Sequence, residues 1–225
     1  MWFKELYEIW RSDNALTRAL NDSQAMLEEA SNMFSEAIRS LRRSDTNDLA
    51  FNIYEKDQMI NKYQQEVRRN VLKYLAITGG LNVIPGLILA SIVIDLERIG
   101  DYTKNITDLA VRHPERLEGG RYEEDLRRIE EVVKRTFTDL LPMLKESNRR
   151  GAKQLIDETY WVVKKCDEVV NSLIGEDTGE FRTNDAVCIG LYARYLKRIQ
   201  AHLLNIASSV VNPFERIGYK AEEEI

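Results

Sequence analysis

Histidine and cysteine, on which many metal sites and nucleophilic enzymes depend, are scarce in this sequence of 225 residues. There are two of each: His113, His202, Cys166 and Cys188. No CxxC pair is present, and neither is the Glu-x-x-His pair that di-iron helical bundles use. The chain also lacks the phosphate-binding GxxxxGK[ST] motif and the GxSxG nucleophile motif. We therefore expect that the protein is not an enzyme.

The few cysteines also bear on the cellular compartment. Cys166 falls on an apolar helical stripe, which favours a buried, reduced thiol over a disulfide. The first ten residues, MWFKELYEIW, contain Lys4, Glu5 and Glu8, which the apolar core of a secretory signal peptide would not contain. A cytoplasmic location is expected.

No block of basic residues occurs, since the lysines and arginines are spread along a chain of net charge −5. This argues against nucleic acid as a partner, because phosphate binding requires a basic patch. An acidic surface with carboxylates at helical spacing attracts cations instead.

Charge is missing from one long stretch, residues 74–94, which is long enough to cross a bilayer. However, Gly79-Gly80 and Pro85-Gly86 interrupt it, so a helix end, a turn and the start of a buried helix are favoured. Uncharged surface patches commonly mark interaction sites, and we predict a docking surface at residues 75–85. Peripheral contact with a membrane stays open.

Helical periodicity dominates the sequence, with apolar residues mostly three or four positions apart and no useful strand-like alternation. Residues 44–48, SDTND, predict a turn and a helix cap, and Pro142 is expected to kink or close the fourth helix. The pattern predicts six helices, at residues 16–41, 49–79, 85–112, 126–144, 152–173 and 189–210.

An internal repeat relates the two halves of the chain. The second helix contains DQMIN at residues 57–61, and the fifth contains DEVVN at residues 167–171. The third contains LERIGDYTKNI at residues 96–106, and the sixth contains LKRIQAHLLNI at residues 196–206. Two correspondences in the same order predict an all-α protein of two tandem three-helix bundles. The predicted limits are a first bundle at 1–112, a linker at 113–120, a second bundle at 121–212 and a tail at 213–225.

Two carboxylates, Glu97 and Asp101, lie one turn apart in the third helix, on the side opposite its apolar stripe. We expect them to avoid burial, although like charges at this spacing still destabilise a helix by about 0.2–0.5 kcal/mol. One explanation is a solvated face that Arg98 and Lys104 neutralise. The other is a cation site, because such hard oxygen ligands suit a metal ion. Asp57 and Asn61 on the second helix would complete it.

These motifs resemble the PhoU family, whose members carry E(D)xxxD motifs in each of two repeated three-helix bundles. The resemblance implies a cytoplasmic regulator that restrains the high-affinity phosphate transporter and an associated sensor kinase through protein contacts. It also implies a metal ion as cofactor, iron or zinc, with Glu97, Asp101, Asp57 and Asn61 as the metal ligands. A homodimer is expected from the same resemblance.

The second repeat departs from that pattern, because Lys197 and Ala201 stand where the carboxylates would be. A charged lysine cannot bind a metal, and alanine offers no ligand. We expect this site to hold no metal and Lys197 to neutralise Asp167. Two alternatives to the phosphate role remain: a metal-binding accessory protein of a different transporter, and a structural bundle without metal.

Overall fold

The computed structural model describes residues 15–44, 49–79, 82–113, 115–175 and 179–219. Within these ranges the chain contains no strand, and the predicted all-α class is confirmed. The described residues form seven α-helices: α1 (Ala15–Arg43), α2 (Ile53–Thr78), α3 (Val83–Arg112), α4 (Glu123–Glu146), α5 (Arg149–Thr159), α6 (Trp161–Gly175) and α7 (Thr183–Val211).

The helix ends follow local capping chemistry. The side chain of Asn52 accepts hydrogen bonds from the backbone N–H groups of Tyr54 and Glu55, which satisfies two free donors at the start of α2. Gly79 ends α2 in the left-handed conformation (φ +60°), which glycine adopts without steric cost. The turn and cap predicted at residues 44–48 lie outside the described residues, apart from Ser44.

The second bundle departs from two local predictions. Pro142 does not close α4, which continues to Glu146, and a kink at this residue stays a prediction. Pro142 lies on the exposed face, where water can hydrate the carbonyl group that loses its partner. The predicted fifth helix is divided at Tyr160, because the N–H of Val163 bonds the Tyr160 carbonyl three residues back and tightens the chain there.

The helices pack as two bundles, α1 to α3 and α4 to α7, with α5 and α6 together forming the middle helix of the second. The bundles meet where α1 packs on α4 and where α3 packs on α7. These are corresponding pairs in the two repeats, and one continuous hydrophobic core includes residues of both bundles. The predicted linker takes part in it, since Leu117 is buried and its N–H bonds the Leu41 carbonyl at 2.8 Å. The division at residues 113–120 stays a prediction.

A buried ionic network also joins the bundles. The guanidinium group of Arg42, at the end of α1, donates to Glu130 of α4 at 3.0 Å and to Glu123 at 2.6 Å. It also bonds the Leu117 carbonyl. The hydroxyl of Tyr192, on α7, donates to the same Glu130 at 2.9 Å. This network therefore joins α1, α4 and α7. The side chains of Arg42 and Glu130 within it are only 5% and 4% exposed.

No helix in the described part of the chain is both long enough and apolar enough to span a bilayer. Cys166 is buried and unpaired, as predicted, and so is Cys188.

Candidate functional site

The predicted site lies where α2 faces α3, and Gly100 on α3 allows the two helices to approach there. A Cβ atom at Gly100 would lie 3.0 Å from Cδ1 of Ile60 and 3.8 Å from Oδ1 of Asp57. A side chain at this position would therefore require the end of Ile60 to shift by a few tenths of an ångström. Because glycine leaves the space open, Asp57 comes next to the acidic motif of α3, and it is buried there.

Asp57 and Asp101 are joined by a lysine. The ammonium group of Lys104 donates to Oδ2 of Asp57 at 2.9 Å and to Oδ1 of Asp101 at 3.1 Å. All three side chains are at most 30% exposed, so solvent screens these contacts only in part. The hydrogen bonds and charges of the two aspartates raise the pKa of Lys104, although burial acts in the opposite direction and is the largest single effect.

Glu97 is held less tightly. The guanidinium group of Arg98 lies 3.7 Å from the Glu97 carboxylate and 3.3 Å from that of Asp101, so the salt bridges expected within this helix are present. The expectation that these acids avoid burial is wrong, since the Glu97 side chain is only 20% exposed. Burial raises the pKa of Glu97, and the charges of Asp101 and Asp57 add to this effect.

Each of the two motifs also contains an asparagine. Asn61 is half-buried one turn beyond Asp57 on α2, and Asn105 is half-buried one turn beyond Asp101 on α3. The hydroxyl of Tyr54 donates to Asp108 at 2.5 Å, which adds a second polar contact between α2 and the acidic face of α3.

The donor set does not have the arrangement of a metal centre. In the described ranges, no three or more histidine, cysteine, aspartate or glutamate side chains are grouped so that they could hold a metal ion. An ammonium group lies between the two aspartates that the motif brings together. Metal binding by Glu97, Asp101, Asp57 and Asn61 stays a prediction.

The second repeat contains the predicted ion pair. The ammonium group of Lys197, on α7, donates to Oδ2 of Asp167, on α6, at 2.5 Å. Arg194 lies 4.0 Å from the other oxygen of the same carboxylate. Ala201, where the second carboxylate of the motif would be, contributes no polar side-chain atom. Both bundles thus pair a middle-helix aspartate with a lysine of the following helix.

Both histidines have partners that sequence reasoning missed. His113 is buried, and its Nε2 lies 2.9 Å from the carboxylate of Asp185. His202 lies 2.7 Å from Asp95, across the α3–α7 contact. Each partner is 72 or more residues away in the chain, so no local pattern could have indicated it.

An exposed apolar surface lies where α2 ends and α3 begins. We call it the apolar tip and define it by Leu72, Ile77, Ile84 and Leu87, all exposed, with Ile77 at 82%. It overlaps the predicted docking segment 75–85, in which residues 80 and 81 lie outside the described part. Apolar side chains of this size at one end of a helix pair are a feature of interaction surfaces.

Known proteins resemble the chain in sequence and in fold. Residues 24–110 match the model of the PhoU domain. The crystal structure of PhoU from Pseudomonas aeruginosa superposes with a TM-score of 0.74 at 22% identity, over 87% of this chain and 95% of that one. The phosphate transport system regulatory protein PhoU from Streptococcus pneumoniae superposes with a TM-score of 0.72 at 19% identity, over 99% of this chain and 100% of that one.

A curated relative matches the chain over part of its own length. An uncharacterized protein of Methanocaldococcus jannaschii is 26% identical over 185 residues, which is 79% of this chain. The chain spans 59% of the length of that relative.

Proposed function

We propose that this chain, which contains a PhoU domain at residues 24–110 and has the PhoU fold, is a regulator of phosphate transport. The observation that carries the proposal is the domain match, which covers the whole acidic motif and its partner on α2. In this role the protein restrains a high-affinity phosphate transporter by binding its components in the cytoplasm. It catalyses no reaction.

The apolar tip is the surface that we propose for transporter binding. Its members come from the end of α2 and the start of α3, and the chain from residue 74 to residue 94 contains no charged side chain. Burial of such side chains stabilises a complex by about 25 cal/mol per Å² of apolar area removed from water, before the cost of association. An apolar site on the transporter would therefore suit this end of the first bundle. Contact with a sensor kinase and a homodimeric state are further parts of the proposal.

A deletion experiment tests the regulatory role. Phosphate uptake is measured in the source organism, grown with abundant phosphate, with and without the gene for this chain. We expect uptake to rise severalfold in the deletion strain and to return to its original level when the chain is restored. Unchanged phosphate uptake, or a change confined to the uptake of another solute, would contradict the proposal and favour a different transporter as the partner.

A pair of matched variants tests the tip. Ile77→Ser removes a side chain that is 82% exposed at the end of α2, and Ile174→Ser removes one that is 80% exposed at the corresponding end of α6. We expect Ile77→Ser to weaken the recovery of transporter components with the tagged protein and Ile174→Ser to leave it unchanged. Equal recovery with all three proteins would rule out the tip as the binding surface.

A further inference from the structure

We infer that lysine side chains take the place of metal ions in both repeats, so that each bundle carries its own internal cation. In each case an ammonium group of the third helix lies against the aspartate of the middle helix. This inference concerns how the scaffold is held together, and it holds or fails independently of the proposed role in phosphate transport.

In the first repeat the lysine makes the contacts that a bridging ion would make. Lys104 donates to Asp57 on α2 at 2.9 Å and to Asp101 on its own helix at 3.1 Å. One positive charge thus contacts two carboxylates from two helices at hydrogen-bonding distance. A metal ion that used the same two oxygens would have to displace this ammonium group into solvent and break both bonds.

In the second repeat the same pairing is reached from a different position. Lys197, which contacts Asp167 at 2.5 Å, occupies the motif position of Glu97. Lys104 lies two turns further along its helix, and its counterpart in α7 is Leu204, which has no charge. The two lysines do not occupy equivalent positions of the repeat. Duplication of one ancestral lysine therefore does not explain why each contacts the middle-helix aspartate. The shared feature is the neutralised aspartate of the middle helix.

The two repeats nevertheless differ in what remains without the lysine. Removal of Lys104 would leave Asp57 and Asp101 facing each other, with Glu97 one turn away on α3. Removal of Lys197 would leave Asp167 with Arg194 4.0 Å from its other oxygen, and Ala201 offers no second carboxylate. Oxygen donors from two helices suit a divalent ion, whereas a single carboxylate holds one weakly. The first bundle should therefore bind a divalent ion more tightly when its lysine is removed, and the second should not.

The experiment compares the wild type with Lys104→Ala and Lys197→Ala after treatment with a chelator. Zn²⁺ and Mn²⁺ are titrated into each protein in a calorimeter, and circular dichroism verifies the helical fold. We expect Lys104→Ala to bind one ion per chain at least tenfold more tightly than the wild type. Lys197→Ala should bind no more tightly than the wild type.

A second variant tests whether the effect depends on the charge of Lys104, and a control variant tests whether the ion binds at the two aspartates. Lys104→Gln keeps a polar side chain, one atom shorter, but removes its charge, and it should also raise the affinity. Adding Asp57→Asn and Asp101→Asn to Lys104→Ala should abolish the gain. Tight stoichiometric binding by the wild type that Lys104→Ala does not improve, or an equal gain in Lys197→Ala, would overturn the inference.

Discussion

Arg42→Met should be among the most damaging single substitutions in the chain, because it leaves a buried charge without its partner. The Arg42 guanidinium group donates hydrogen bonds to Glu130, Glu123 and the Leu117 carbonyl. Glu130 accepts one further hydrogen bond, from the Tyr192 hydroxyl at 2.9 Å. Removing one member of a buried ion pair costs about 3–5 kcal/mol. For a chain of this length, each kcal/mol lowers Tm by roughly 2–4 °C, so a decrease of about 6–20 °C is expected.

The assay is urea unfolding followed by far-UV circular dichroism, for the wild type, Arg42→Met, Glu130→Leu and the double variant. The double variant should be much less destabilised than the two single changes together predict, because replacing both charges by apolar groups is often nearly neutral. A loss below about 1 kcal/mol in Arg42→Met, or strict additivity in the double variant, would refute the reasoning.

Three further predictions concern Glu97, Gly120 and the two cysteines. Burial and the charge of Asp101 raise the pKa of Glu97 above its usual 4.5, so its carboxylate lowers the free energy of unfolding as pH rises through that range. Glu97→Gln should therefore stabilise the protein by a few tenths of a kcal/mol at pH 7 and not at pH 4 in urea unfolding; lower stability at pH 7 would contradict this. Gly120→Ala should cost about 2–4 kcal/mol, because φ is +51° and the new Cβ would lie 2.8 Å from Cζ of Phe181. Gly175→Ala, with no atom within 4 Å of the new Cβ, is the matched control, and equal Tm values would refute the clash. Burial raises the pKa of both cysteine thiols to about 12, so neither should react with a thiol reagent at pH 8 until urea unfolds the protein, and rapid reaction of the native protein would contradict this.

The helices could be predicted from sequence because their apolar residues recur with the helical period, and capping residues are local. The predicted start of the third helix, at Pro85, differs from the observed Val83 by two residues. Asn52 rather than a residue of the SDTND segment provides the cap on α2. The helix continues past the exposed Pro142 and is divided at Tyr160 by a tightened turn, and residue type alone decided neither outcome.

The site could be predicted only as far as one helix determines it. The spacing of Glu97 and Asp101, and the salt bridges that Arg98 and Lys104 make to Asp101, follow from positions three or four apart on α3. The second bond of Lys104, to Asp57, depends on how closely α2 approaches α3, which the sequence of α3 alone does not determine. The partners of the histidines are likewise set by packing between distant helices, on which a single sequence carries no local signal.

The most direct measurement of the lysine pairing is a crystal structure of the wild-type protein grown with Zn²⁺ in excess, with an anomalous difference map recorded at the zinc edge. We predict density for the Lys104 ammonium group between the carboxylates of Asp57 and Asp101, with no anomalous peak within about 3 Å of either. A zinc peak bound by these two carboxylates, with the Lys104 side chain turned into solvent, would contradict the inference that lysine stands in place of the ion.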